Sequence, residues 1–526
     1  MQLNMVTRSR FQISGWFAAL FAVALTTLTG CSPKTEPAKP AAAVSPAAVT
    51  NDDSDLLLRV RFAGTAQLMA DTNAPYLTNL AALSETAALG RRLVERFASL
   101  PGRLLAPGST NDVLATNLAP IFDDLLKHGF ALELRGDSNG VQTMILAAPA
   151  SALAPDPLQA AVMGFTNVPN TVNSSDGWTT WTVGAAAPSA SLSALRSPSL
   201  PAPPLLAVQM ASTLLPNPVR ESVYGGFDRF SFTAVLTQHG FKIRGQATYA
   251  RDLPALSGPV TVPTNLVTEP VISFSMVRNP LSWLSPGNPL RNFLPEPFPD
   301  IAWFWGGESS PYQLFMAIPL ADTNRFAAEI GPGLAEKLSP VATASATGPV
   351  MFDAEAGEVQ WALVPFLSPR VVMQPSGTNA YLVARTFPPA DMGSGVTSPL
   401  FNRTSGTTNV VLFDWEFTQA RMDAWSCLSQ LALHLASHQQ LDASNISWQW
   451  LRAAQKVLPG GGNMFTLLTQ TSQRELSLDR LAPVGFTSLE LYWLANWLES
   501  ENFPAANFLA PGPSPFPTYA PTGDQQ

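Results

Sequence analysis

The chain has 526 residues, of which 13% are charged and 46% hydrophobic, with 48 prolines and two cysteines. So little charge excludes a coiled coil, the apolar content argues against wholesale disorder, and two cysteines exclude a disulfide-stapled scaffold. The length allows roughly two to four domains, and a net charge of −8 makes the chain a poor partner for nucleic acid.

The N-terminus opens with Arg8 and Arg10 and then runs without charge from Trp16 to Leu28. That core falls short of the ~20 residues of a membrane-spanning helix and has the size and flanks of a secretory signal. It ends in Leu28-Thr29-Gly30-Cys31, which resembles the bacterial lipobox. The resemblance covers the targeting segment alone. It implies cleavage before Cys31, acylation of Cys31, and a cell-envelope address held by an N-terminal acyl anchor. Ser32 after the cysteine implies the outer membrane, facing the periplasm, ahead of the inner membrane. Losing residues 1–30 removes two arginines and no acid, so the mature chain is more acidic still. An acylated Cys31 leaves Cys427 without an intrachain partner, so the fold is expected to rest on packing alone. The longest later apolar stretch, Val141 to Phe165, is interrupted by Pro149, Pro155, Asp156 and Pro157 and is not expected to span a bilayer.

Residues 31–54 are rich in Ala and Pro and read as a tether, roughly 70 Å long at ~3.1 Å per residue. An N-terminal α+β lobe is expected over 55–252. Its first strand alternates from Leu56 to Phe62. A helix follows with Leu89, Leu93, Phe97 and Leu100 on one stripe, stopped by Pro101-Gly102. A second carries Leu114, Leu118, Ile121 and Leu125, with Pro120 as a kink or restart and Gly129 as a left-handed cap. Strands at 130–134 and 141–147 flank a turn at 136–140. The Ala/Ser/Pro/Leu-rich stretch 185–218 reads as a long loop or linker. Strands resume at 227–236 and 241–249.

A proline-rich join spans 253–270, and a C-terminal α+β lobe is expected over 271–502. Strands are expected at 272–277, 313–318, 359–364 and 410–417, and helices at 324–330, 420–441, 448–458 and 488–499. Thr487 and Glu490 have capping-box spacing at the start of the last helix. Residues 503–526 read as a proline-rich tail. Ala70-Asp71-Thr72-Asn73 recurs as Ala321-Asp322-Thr323-Asn324, and a strand–turn–strand follows each, at 131–146 and 371–384. The expected fold is therefore α+β, with two similar lobes, each a mainly antiparallel sheet with helices packed on one face.

Four constellations bear on chemistry. His434 and His438 share a helix face, but Leu435 stands where a metalloprotease has its glutamate, and Cys427 lies about 10.5 Å away along the axis. No metal site is expected. Asp414 and Glu416 share one face of a strand, roughly 6.6 Å apart, within the range of glycosidase carboxylates. Asp-Trp-Glu at 414–416 resembles the end of the active-site strand of family-18 chitinases. Leu412, Asn409 and Val410 depart from the rest of that motif, and the chain lacks the eightfold strand–helix alternation of a barrel. The other reading is a half-exposed strand with a polar outer face. The tryptophan pairs 303/305, 448/450 and 493/497 are expected in the core. Gly331-Pro332-Gly333 and Gly460-Gly461-Gly462 lack the residues of a dinucleotide or phosphate loop. His128 and His239 are expected at element ends.

No catalytic, metal-binding or cofactor-binding residue is expected beyond the lipidated Cys31. The sequence points to a lipid-anchored envelope protein with a non-catalytic binding or structural role, its partners envelope proteins or an apolar ligand. The alternatives are a periplasmic carrier of a lipid or other apolar ligand and, more remotely, a carboxylate-dependent hydrolase.

Overall fold

The computed structural model describes residues 54–70, 75–105, 112–137, 140–163, 169–184, 204–215, 217–288, 291, 299–344, 348–364, 367–376, 379–388, 404–437, 445–458, 463–499 and 503. Cys31, the signal and the tether up to Asp53 lie outside them. So do His438, residues 459–462, Asp71-Thr72-Asn73 and the tail beyond Phe503.

The first strand is β1 (Leu56–Phe62). The short helices α1 (Thr65–Ala70) and α2 (Pro75–Ala81) lead to α3 (Ser84–Leu105) and α4 (Asp112–His128). Pro101 does not stop α3, and α4 runs unbroken through Pro120. Gly129 caps α4 with φ +93°, and its N–H donates to the Leu125 carbonyl at 2.8 Å. A Cβ there would meet the Phe62 carbonyl oxygen at 2.7 Å, so glycine is needed for the close approach as well as the turn.

Next come β2 (Phe130–Asp137), β3 (Gly140–Pro149), α5 (Pro155–Val162), β4 (Asn170–Ser175), β5 (Trp178–Gly184), β6 (Leu206–Met210), α6 (Asn217–Arg220), β7 (Arg229–Thr237) and β8 (Gly240–Thr248). Strand β6 corrects the linker expectation for 185–218. Leu206, Val208 and Met210 are buried and alternate with half-buried Ala207 and Gln209. Five residues of alternation were masked by the prolines around them, yet β6 is an interior strand between β1 and β7.

The chain continues with β9 (Val271–Arg278), β10 (Ile301–Gly307), β11 (Leu314–Leu320), a π-helical turn (Phe326–Ile330), α7 (Gly331–Ala344), β12 (Val350–Asp353), β13 (Glu358–Trp361), β14 (Arg370–Ser376), β15 (Asn379–Arg385) and β16 (Val410–Phe417). Then come α8 (Thr418–Ser437), α9 (Ile446–Val457), β17 (Asn463–Ser472), β18 (Glu475–Ala482) and α10 (Ser488–Glu499). Gly331-Pro332-Gly333 therefore opens a helix. A Cβ on Gly331 would collide with the Phe352 ring.

The strands form one 18-stranded sheet, and its pairings are antiparallel. Near its middle β8 pairs with β18, Thr248 opposite Glu475. From that pair outward, one side runs β8-β7-β6-β1-β2-β3-β5-β4. The other runs β18-β17-β16-β9-β10-β11-β15-β14-β13-β12. The hairpins expected as counterparts, 131–146 and 371–384, stand at different places in these orders. The place of β2-β3 on one side is taken by β10-β11 on the other.

The largest apolar cluster joins β1, β6 and β8 to α3, α4, α9 and α10. Within it the Trp450 indole donates to Thr86 Oγ1 at 3.0 Å. Glu499 ties three helices together, accepting from the Ser447 N–H at 3.1 Å, the Ser447 hydroxyl at 2.6 Å and Arg92 at 3.1 Å. The proline-rich join adds buried Val260, Val262, Leu266 and Val267 to a second cluster with Phe274, Met276, Trp303, Trp305 and Phe413. Among the described residues no helix is long and apolar enough to cross a membrane.

Candidate functional site

Strand parity brings Asp414 and Glu416 to one face of β16, as their spacing predicts. Asp414 pairs with Ser275 on β9 and Thr466 on β17, and Glu416 with Ser273 and Met464. That face is not the polar outer surface of the alternative expectation. Glu416 is 4% exposed. Its Oε1 accepts from the Ser488 N–H and its Oε2 from the Ser488 hydroxyl, each at 2.7 Å. The carboxylate thus satisfies the first turn of α10 and fastens that helix to the sheet. Asp414 is half-buried and accepts from the Ser275 hydroxyl at 2.5 Å.

Two arginines face these acids. Arg480, opposite Thr466 on β18, donates from Nε to Thr466 Oγ1 at 2.9 Å. Its two terminal nitrogens grip Glu490 at 2.8 and 2.9 Å. Burial works against the Arg480 charge, but Glu490 holds its pKa above the usual value. Arg421 reaches from α8 to β10, where a Cβ on Gly306 would lie 2.9 Å from its Nη1. Its guanidinium carbon sits 4.5 Å from the centre of the Trp425 ring. Arg421 Nη1 is buried without a hydrogen-bond partner.

Burial pushes the Glu416 pKa up from 4.5 to about 8, with the neighbouring Asp414 charge adding to the shift. Burial also raises Asp414, against the Ser275 hydrogen bond and the Arg480 charge. Chemically, the cluster is a proton-holding acid beside a second carboxyl, with both carboxyls occupied by serine hydroxyls.

Beside this cluster lies a row of half-exposed residues. Asp414 pairs with Ser275, Ser275 with Phe304, Phe304 with Met316, and Met316 with Ala384. Phe304 is 37% exposed, and Met316 and Ala384 are half-buried. Its flanks are partly covered, with Val277, Leu412, Leu314 and Thr386 beside the row themselves half-buried. On one side Ala302, Ile318 and Leu382 are buried with Phe326, Ile330, Ala335 and Ala342. On the other lie buried Glu416, Ser273 and Gly306. The row thus forms a shallow furrow where buried Ala302, Ile318, Leu382, Glu416 and Ser273 flank it, polar at the Asp414 end and apolar along Phe304 and Met316.

Among the described residues the other candidates form no site. The side chain of His434 and all of His438 lie outside the described residues. Asp423 is exposed and accepts from the Gln455 amide, and Cys427 is a half-buried free thiol. Among the described residues no group of His, Cys, Asp and Glu is arranged to hold a metal ion. Trp303, Trp305, Trp448, Trp450 and Trp497 are core residues as expected, but Trp493 is 46% exposed on α10. His128 ends α4 and His239 lies in the β7–β8 turn.

Sequence reading missed Ser275, Arg421, Arg480, Ser488, Phe304 and Met316 as a group. One signal was available, since the alternation Trp303-Phe304-Trp305 stops at Gly306, where a strand needs room for a neighbour. Comparison with known proteins adds no relative: no family model matches, and no curated protein or solved structure matches the chain.

Proposed function

We propose that the chain is a lipid-anchored protein of the bacterial cell envelope with a non-catalytic binding or structural role, anchored through Cys31. Its body is two similar lobes, each a mainly antiparallel sheet with helices packed on one face. The matching strand orders on either side of β8–β18 support the two lobes. Strand parity supports the single helical face, because the rows that meet α3, α4, α7, α8 and α10 follow one another through the registers. The observation that carries the non-catalytic reading is Glu416. Its oxygens are committed to Ser488 beneath α10, where a substrate would have to displace a helix.

Two measurements test this proposal. Cys31→Ser is expected to move the chain from the membrane to the soluble fraction after cell fractionation. An unchanged membrane fraction would remove the anchor from the argument. Cross-linking of the full chain at native expression is expected to capture envelope neighbours, and recovery of monomer alone counts against a scaffold.

The furrow favours a second reading, a carrier of a lipid or other apolar ligand. A half-exposed phenylalanine and methionine between buried rows is a surface that gains by being covered. Hydrolysis by Asp414 and Glu416 is the remote reading, and full activity of a Glu416→Gln, Asp414→Asn double variant on any substrate found would end it.

A further inference from the structure

We infer that the furrow beside Asp414 binds a single acyl chain, with Arg421 Nη1 donating to the carboxyl or ester carbonyl oxygen at its head and Phe304, Met316 and Ala384 lying along its tail. This deepens the carrier reading and rests on it.

Charge and donor placement choose the occupant. Of the two arginines in the cluster, Arg480 is committed to Glu490 and Thr466. Arg421 is the cation with a terminal nitrogen left over. A buried guanidinium N–H without an acceptor is costly, and an oxygen acceptor brought to it is correspondingly favoured. Thr418 adds a second donor on the same helix. It is 1% exposed, three residues before Arg421 and so on the same side of α8, and its hydroxyl is also without a partner. Asp414 takes the Ser275 hydroxyl on Oδ1 and does not occupy Arg421 Nη1, which is left for a ligand's acceptor.

The tail follows from position. Gly306 and Phe304 lie two residues apart on β10 and so share a face, which places the Arg421 donor at the edge of the apolar row. From Asp414 to Ala384 the row crosses four strand spacings, roughly 19 Å at ~4.8 Å each. A polar ligand would leave Phe304 and Met316 uncovered. A hydrocarbon would leave Arg421 unanswered. An acyl chain with an oxygen acceptor at one end meets both.

The test uses the full chain in isolated membranes, photolysed with a diazirine-bearing palmitic acid, with adducts mapped by peptide mass spectrometry. Adducts are expected on the peptides carrying Phe304 and Met316. Phe304→Asp, at an exposed position, and Arg421→Leu are each expected to cut them at least about tenfold. A thermal melt of each variant confirms that the fold is kept, and if Arg421→Leu does not fold, Phe304→Asp alone decides. Competition by free palmitate but not by a lysophospholipid identifies a fatty acid as the source, and the reverse identifies a membrane lipid. Wild-type adducts absent from these peptides, or unchanged in Phe304→Asp, overturn the inference. Envelope neighbours captured by cross-linking in that case leave the binding role standing without the acyl site.

Discussion

Glu416 keeps its proton towards neutral pH because water around it has been replaced by Ser488, the fully buried Met464 and the helices above the sheet. A carboxyl whose folded pKa lies above its unfolded value binds its proton more tightly in the folded chain. Its contribution to stability is therefore complete below 4.5 and is lost as pH rises from 4.5 to about 8. Glu416→Gln keeps the shape and an acceptor for Ser488 but removes the titration. Thermal melts across that window are expected to show the wild-type midpoint falling more steeply than the variant's. The variant should be at least as stable at the alkaline end. Parallel curves would mean that Glu416 does not hold its proton. Asp414, raised in the same direction by the same burial, leaves a residual slope in both proteins.

At the scale of one element, the start of α10 shows what sequence can and cannot specify. The Thr487–Glu490 spacing predicts a reciprocal cap, and the cap is there: the Glu490 N–H donates to Thr487 Oγ1 at 3.0 Å and the Thr487 N–H to Glu490 Oε2 at 2.9 Å. Capping is local, four residues long, and so legible. Glu490 also holds Arg480 from a different strand, a pairing that no window of sequence displays. The two roles should separate in urea unfolding. Thr487→Ala is expected to cost about 1 kcal/mol, the usual value of a cap. Glu490→Ala is expected to cost about 3 kcal/mol, because it strands a nearly buried guanidinium. Equal losses would make the Arg480 contact incidental.

The same distinction explains the misreadings. Strand β6 was hidden because five alternating residues are outvoted by flanking prolines. Pro101 read as a stop because proline usually ends a helix, yet α3 runs on to Leu105. Asp414 and Glu416 were legible as a same-face pair from parity. Their burial was not, because it depends on α8 and α10 folding over the strand.

Across the whole molecule, both the sheet and the largest apolar cluster unite the chain, since α9 and α10 pack with β1, α3 and α4 in that cluster. Each half of the strand order can be laid down largely from its own part of the sequence, through hairpins such as β2–β3, β7–β8 and β17–β18. The two halves of the sequence were therefore each readable as strands and helices. Their union was not, because β8 and β18 carry no mark that they are neighbours.

That union has a consequence for how the protein is made. β8 is complete at Thr248, and the strand that covers its second edge begins only at Glu475. Until that strand exists, the second edge of β8 has no partner within its own chain, which would make it an open template for any other strand. If the lobes are counterparts, β8 is waiting for its own equivalent, and the β8 of another unfinished molecule offers nearly the same edge. A chain ended after residue 252 is accordingly expected to associate in pairs through β8, seen as a dimer by size-exclusion chromatography with light scattering. A monomer at micromolar concentration would refute this. Exchange of halves between neighbours is thus the misassembly to which this architecture is most exposed.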